Sequence, residues 1–256
     1  MRTIAIANHK GGVGKTTTSV NLAAGLARSG RRTLLVDVDA QSHATFWFVE
    51  NPGDVDYDLQ DVVSKGVPVD KTIRPTRIEG LDLLPATLAL APLETELVSM
   101  TRREDRIQRA LSGVEDTYDY AVLDLAPSLS LVTLAALVAA TDLIAPVSAT
   151  KLAVGGLGAF LNWTDDFRSE GLITAPLLGI LITMVDSRTR VTREVIDALR
   201  GSDLPIFDTA IPRRVAAEDQ VGDRLVAGDE GANSDLSAAY QAFVQEVLAR
   251  TGANRG

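Results

Sequence analysis

The chain contains no cysteine in its 256 residues. That absence excludes disulfides, thiolate zinc sites and cysteine-ligated iron–sulfur clusters, and it fits a cytosolic protein. Aromatic residues are scarce at 5%, so the core must be aliphatic, and a hydrophobic content of 46% is ample for one. No apolar run approaches the ~18 residues of a membrane span. The longest, Leu129 to Ala140, is interrupted by Ser130 and Thr133 and reads as a buried helix. The short apolar run after Arg2 is broken at once by glycines, unlike a signal peptide. Basic charge is in deficit: the net charge of −9 argues against a general polyanion binder. Arginines are nevertheless concentrated in one stretch, at 188, 190, 193, 200, 213 and 214, so a local contact with nucleic acid stays open.

What the chain does have is a glycine-rich loop directly behind a strand-like run. Thr3-Ile4-Ala5-Ile6-Ala7 leads into Lys10-Gly11-Gly12-Val13-Gly14-Lys15-Thr16-Thr17. Three glycines leave backbone N–H groups free to wrap an anion, and the helix start behind them adds its dipole. Lys15 stands where a phosphate lysine is needed, Thr16 where a hydroxyl ligates Mg²⁺, and Thr17 where the α-phosphate is reached. The ordinary pattern G-x-x-x-x-G-K-[ST] is not met, because its first glycine would fall on His9. An additional lysine, Lys10, precedes the glycines instead.

Hydrophobic patterning alternates between short and long segments. Strands are expected at Thr3–Ala7, Thr33–Val38, Leu81–Leu84, Ala121–Leu125, Leu143–Val147 and Leu177–Met184. Helices are expected at Thr16–Ser29, around Ile107–Leu111 with its charged flank from Arg102, and at Leu131–Ala139, Thr192–Leu199 and Leu236–Ala249. The alternation predicts an α/β fold: a doubly wound, mostly parallel sheet with helices on both faces, as one domain over residues 1–256. Asn51–Asp61 reads as a polar surface excursion and Thr251–Gly256 as a frayed tail.

Ligands of such sheets bind at the carboxyl ends of the strands. Two segments end there in acid. Val36-Asp37-Val38-Asp39-Ala40-Gln41 places Asp37 and Asp39 near the phosphates, where a carboxylate can orient an attacking water; either could instead cap the next segment. Tyr120-Ala121-Val122-Leu123-Asp124 has the Walker B form, whose carboxylate holds Mg²⁺ directly or through water.

Together Lys10–Thr17, Val36–Gln41 and Val122–Asp124 resemble the deviant Walker A ATPases of the ParA/MinD type, and within them the short ParA/Soj partition proteins. The resemblance continues through Leu84–Thr87, Ala126–Leu129, Ile182–Thr189 and Ile211–Arg213, so it spans nearly the whole chain. It implies ATP and Mg²⁺ as cofactors, a weak Mg-dependent ATPase stimulated by a partner, and catalytic roles for Lys10, Lys15 and Asp39. Lys10 would cross to the partner subunit's nucleotide in an ATP-bound homodimer. The nucleotide site would comprise Lys10, Gly11, Gly12, Val13, Gly14, Lys15, Thr16, Thr17, Met184 and Pro212, and the Mg²⁺ site Thr16 and Asp124. Arg188 and Arg213, with Arg190, Arg193 and Arg214 beside them, would contact double-stranded DNA without sequence preference. The implied setting is the cytoplasm, on the nucleoid, with a ParB-like or other adaptor and no membrane.

The chain departs from the family at Ala40 and Ala126, where prolines are usual, and at His9, where glutamine is. Phe46-Trp47-Phe48 has no family counterpart and reads as a core or dimer-interface patch. Plasmid or chromosome segregation and the positioning of another cellular cargo remain alternatives, as does a MinD-like membrane-associated regulator. The last requires a basic, bulky amphipathic C-terminal helix, which Ala239–Arg250 is not. If Lys10 acts across an interface, Lys10→Ala will still bind nucleotide but will elute as a monomer on gel filtration with ATP; a normal ATP-dependent dimer would refute that role.

Overall fold

In a computed structural model the described residues are 1–186, 188–213, 226–229, 232 and 234–252. Among the described residues eight strands form one sheet: β1 (Arg2–Ile6), β2 (Thr33–Val38), β3 (Arg74–Pro75), β4 (Leu81–Leu84), β5 (Tyr120–Leu125), β6 (Asp142–Ser148), β7 (Leu177–Val185) and β8 (Ile206–Pro212). Their order is β3-β4-β2-β5-β1-β6-β7-β8. Every pairing is parallel except that of β3 with β4. The chain therefore winds away from β1 in both directions, and the crevice for a ligand lies beyond the carboxyl end of β1.

Strand residues alternate between two aliphatic cores, as a period of two requires. Ala5, Leu34, Val36 and Leu123 face one; Ile4, Ile6, Leu35 and Val122 face the other. The second core is covered by α1 (Lys15–Arg28), the short α2 (His43–Phe46) and the last helix, α10 (Ser234–Gly252). The first is covered by α3 (Leu59–Lys65), α4 (Val69–Thr72), α5 (Leu93–Ser99), α6 (Arg106–Ser112), α7 (Leu131–Ala139), α8 (Lys151–Ser169) and α9 (Arg190–Arg200).

The expected strands and helices are present, with shifts at their ends. The charged flank of α6 departs from expectation: Arg102 is left-handed and Arg103–Asp105 forms a 3-10 turn, so the α-helix begins only at Arg106. The polar excursion after Asn51 ends in a capping box, where Asp58 and Asp61 exchange hydrogen bonds with each other's backbone and start α3. Residues 253–256 of the expected tail lie outside the described residues.

α10 seats against α1 and β8. Phe243 meets Phe207 edge-on with centroids 5.0 Å apart, and the Arg250 guanidinium lies 4.0 Å over the Phe207 ring while donating to the Leu178 and Ile206 carbonyls. At the crossing with α1, a Cβ built on Gly25 would overlap the stiff side chain of Val244. Gly25→Ala, which raises helix propensity, is therefore expected to destabilise the fold by about 1–3 kcal/mol through overpacking, measured by urea unfolding.

Candidate active site

The segment after β1 is pinned before it turns. Asn8, almost fully buried, donates from its amide to the Pro146 carbonyl on β6 (2.8 Å), and its oxygen accepts the Lys10 N–H (3.1 Å). Gly12 and Gly14 then take φ of +70° and +83°, a region costly for other residues. The turn aims the start of α1 at the end of β1, and Gly14 occupies the N-cap without any side-chain cap, leaving the first N–H groups of the helix open to an anion. Thr183 on β7 fastens the loop from the other side, its hydroxyl donating to the Val13 carbonyl at 2.8 Å.

Lys15 lies 7% exposed, with Nζ 3.2 Å from the Lys10 carbonyl. Burial lowers its pKa, opposed by the charges of Asp124 and Asp39. Asp124 is fully buried at the end of β5, its Oδ1 accepting the Ser19 hydroxyl at 2.8 Å. Its Oδ2 is buried without a hydrogen-bond partner. Burial raises the Asp124 pKa, while the hydroxyls of Ser19 and Thr16 and the charge of Lys15 hold it down. An orphaned carboxylate oxygen beside the Thr16 hydroxyl fits a hard cation, which takes oxygen ligands and supplies the missing charge.

Asp37 and Asp39 diverge. Asp37 stands in register with Asp124 on the adjacent strand and is equally buried. Its Oδ2 accepts from the Thr45 amide (2.7 Å) and hydroxyl (2.8 Å), and its Oδ1 from the Asp39 amide (3.1 Å). The expectation that Asp37 points toward the phosphates is therefore corrected: it binds the start of α2, and burial together with the neighbouring Asp124 raises its pKa. Asp39, just past β2, reaches the cleft, with Oδ1 accepting the Gln41 amide at 2.9 Å.

The cleft holds about 470 Å³ and is lined by Gly11, Gly12, Gly14, Lys15, Thr16, Thr17, Asp39, Gln41, His43, Phe46, Trp47, Pro127 and Met184. That volume is within the range of nucleotide-sized ligand sites. Val13 is buried beneath the loop. Met184 has φ of 53°, a left-handed state that costs a non-glycine residue roughly 1–3 kcal/mol. Pro212, paired in register with Val185, is not among the lining residues. Nor is Lys10, whose stem runs beside Gly156 of α8.

The arginines gather elsewhere. Arg188 is 88% exposed and pairs with Asp186, whose pKa falls to about 2 through the hydrogen bonds of Arg188, with help from the charge of Arg213. Arg190, 87% exposed, pairs with Glu194, and Arg193 is exposed on the same helix. Arg190 and Arg193 occupy the first turn of α9, where the helix dipole disfavours cations. Arg214 lies outside the described residues. Sequence reasoning missed Asn8, Ser19 and Thr183 as supports; Ser19 could have been found from its spacing, three and four residues after Thr16 and Lys15 on one helix face.

The loop, its two lysines and the acidic strand ends make this a P-loop nucleotide-binding fold of the deviant Walker A kind. The profile of the AAA domain family matches residues 1–175. The sporulation initiation inhibitor protein Soj of Bacillus subtilis is 41% identical over 213 residues, 83% of this chain and 84% of its own. The chromosome partitioning protein ParA of Myxococcus xanthus is 39% identical over 84% of this chain and 76% of its own. Among solved structures, cobyrinic acid a,c-diamide synthase from Mycobacterium smegmatis with bound ADP and magnesium superposes with a TM-score of 0.85 at 34% identity, covering 100% of this chain and 97% of that one. The chain belongs to the Soj/ParA family of partition ATPases.

Because burial raises the pKa of Asp124 above its unfolded value, its ionisation works against folding. The associated stability is present below about pH 4, the ordinary carboxylate value, and is lost as pH rises through the raised one. Asp124→Asn is thus expected to stabilise the nucleotide-free protein by at least about 1 kcal/mol more at pH 8 than at pH 4, while nucleotide binding loses its Mg²⁺ dependence. Chemical denaturation at the two pH values reads the first effect and titration with nucleotide the second.

Proposed function

We propose that this chain is an ATP-driven partition switch. It binds MgATP, closes as a homodimer around two nucleotides, holds double-stranded DNA through phosphate contacts, and moves plasmid or chromosome cargo with a ParB-type adaptor. The observation that carries the reading is the contrast between its two loop lysines. Lys15 lines the cleft of its own subunit, whereas Lys10 does not and lies along α8, available to a second subunit.

Within this reading Lys15 binds the β- and γ-phosphates, Thr17 the α-phosphate, and Met184 and Pro212 the nucleoside side. Thr16 and Asp124 hold Mg²⁺, which offsets phosphate charge. Asp39 takes the hydrolytic water: one oxygen is tied to the Gln41 amide and the residue faces the cleft. Turnover is slow until the adaptor engages. Arg188, Arg190, Arg193 and Arg213, with Arg214, contact DNA on the nucleoid. That Arg190 and Arg193 stand at the unfavourable end of a helix supports a role for them other than helix stability.

The outward residues of α10 speak against a lipid-bound regulator. Asp235, Ala238, Gln241, Ala242, Gln245 and Ala249 are exposed, and none is basic or bulky and apolar. Among the described residues no helix is long and apolar enough to cross a membrane.

DNA retention on a low-salt column, with ATP and with ADP, tests the switch. Retention is expected with ATP alone, falling with salt, and each of Arg188→Ala and Arg213→Ala should lower the log–log salt slope by about 1. Asp39→Ala should keep retention with ATP while losing hydrolysis. Equal retention in both nucleotide states would overturn the proposal.

A further inference from the structure

The aromatic cluster after β2 is only partly absorbed by the core. Trp47 is 5% exposed within the core under α1, and Phe48 packs against that core with the Arg77 guanidinium 5.2 Å from its ring centroid. Phe46 remains 38% exposed and lines the cleft. We propose that Phe46 is a base-binding residue whose ring stacks on the nucleobase, with Met184 as the facing apolar wall. The inference rests on the nucleotide reading above and extends it to a residue without a family counterpart.

Three observations lead there. The cleft is larger than its phosphate cradle. Beyond Gly11–Thr17 and the acids, its lining continues as Gln41, His43 and Phe46 from the connection after β2 and Met184 from the end of β7. Sheet order sets these two connections on opposite sides of β1, so Phe46 and Met184 flank the start of α1 from either side. A sugar and base leaving the cradle past Thr17 pass between them.

Backbone strain marks the same two walls. Among the described residues three non-glycine positions have positive φ: Ser42, Met184 and Arg102. Ser42, at 58°, is the N-cap of α2, the helix that carries Phe46. Met184, at 53°, supplies the opposite wall. Each is held by its surroundings. Ser42 is 2% exposed and its amide donates to the Asp39 carbonyl at 2.8 Å; Met184 follows Thr183, which bonds both Val13 and Ala149. Strained backbone of this kind clusters at ligand clamps.

The part of the Phe46 ring left open to this cleft faces the nucleotide's path, and a planar base can stack on it. Stacking discriminates weakly among bases, so the contribution falls on affinity for nucleosides as a class, with the edges of Gln41 and His43 within the same lining.

Titration calorimetry with MgATP, MgADP and magnesium tripolyphosphate separates the base from the phosphates. Phe46→Ala is expected to weaken both nucleotides about thirtyfold, the middle of the range for one stacked base, and to leave tripolyphosphate unchanged. Phe46→Tyr, which keeps the ring, should bind nucleotides like the parent chain. Equal losses for nucleotides and tripolyphosphate would overturn the proposal by placing the effect in the phosphate loop, and unchanged nucleotide affinity in Phe46→Ala would overturn it outright. If the parent chain binds tripolyphosphate but gains nothing from a nucleoside, the base wall fails while the phosphate reading stands; if it binds none of the three, the nucleotide reading itself falls.

Discussion

Two carboxylates buried side by side govern this structure. Asp37 and Asp124 face each other across neighbouring strands with no exposure to solvent. Burying one such charge is costly, and burying two in adjacent register adds their repulsion. The fold answers with three close donors for the first and fewer for the second. Asp37 receives three hydrogen bonds from Asp39 and Thr45. Asp124 receives one from Ser19, and its other oxygen stays bare beneath the phosphate loop. The carboxylate that organises the backbone is thus saturated, while the one beneath the glycine loop is kept short of partners.

This division explains how the site is assembled from distant parts. Thr45 accepts the Ala86 amide as it donates to Asp37, tying the ends of β2 and β4 to α2. Asn8 and Thr183 tie the glycine loop to β6 and to the end of β7. The carboxyl edge of the sheet is therefore a lattice of short polar contacts laid over aliphatic cores that leave it little freedom to shift.

The parallel core was legible because its strands are uninterrupted aliphatic runs and α7 is an apolar block bounded at Ser130. The phosphate loop was legible because its residue types are dictated by ligand chemistry. α8 was not: Gly155, Gly156 and Gly158 thin its periodicity, and it is helical through burial of Ala153, Leu157, Phe160 and Leu161. The short helices α3, α4 and α5 carry too few turns for a period to show. β3 is a two-residue antiparallel edge, fixed by pairing with β4. Capping of the next segment by Asp37 was one of two readings of the sequence, but its particular partner, Thr45 eight residues on, was not legible there. Phe46 differs from Trp47 by one step along the chain; both line the cleft, but only Trp47 is buried in the core.

The seat of α10 on α1 has a consequence for how this chain can vary. Gly25 and Val244 fill a single slot in which no further methyl group fits. The first helix of the molecule and its last are therefore joined by a shared volume as well as by the buried Thr18–Tyr240 hydroxyl contact. Enlargement at position 25 is compatible with the same seating only if position 244 shrinks. The helix that presents the phosphate loop and the helix that closes over its far end form one sterically coupled unit at this crossing.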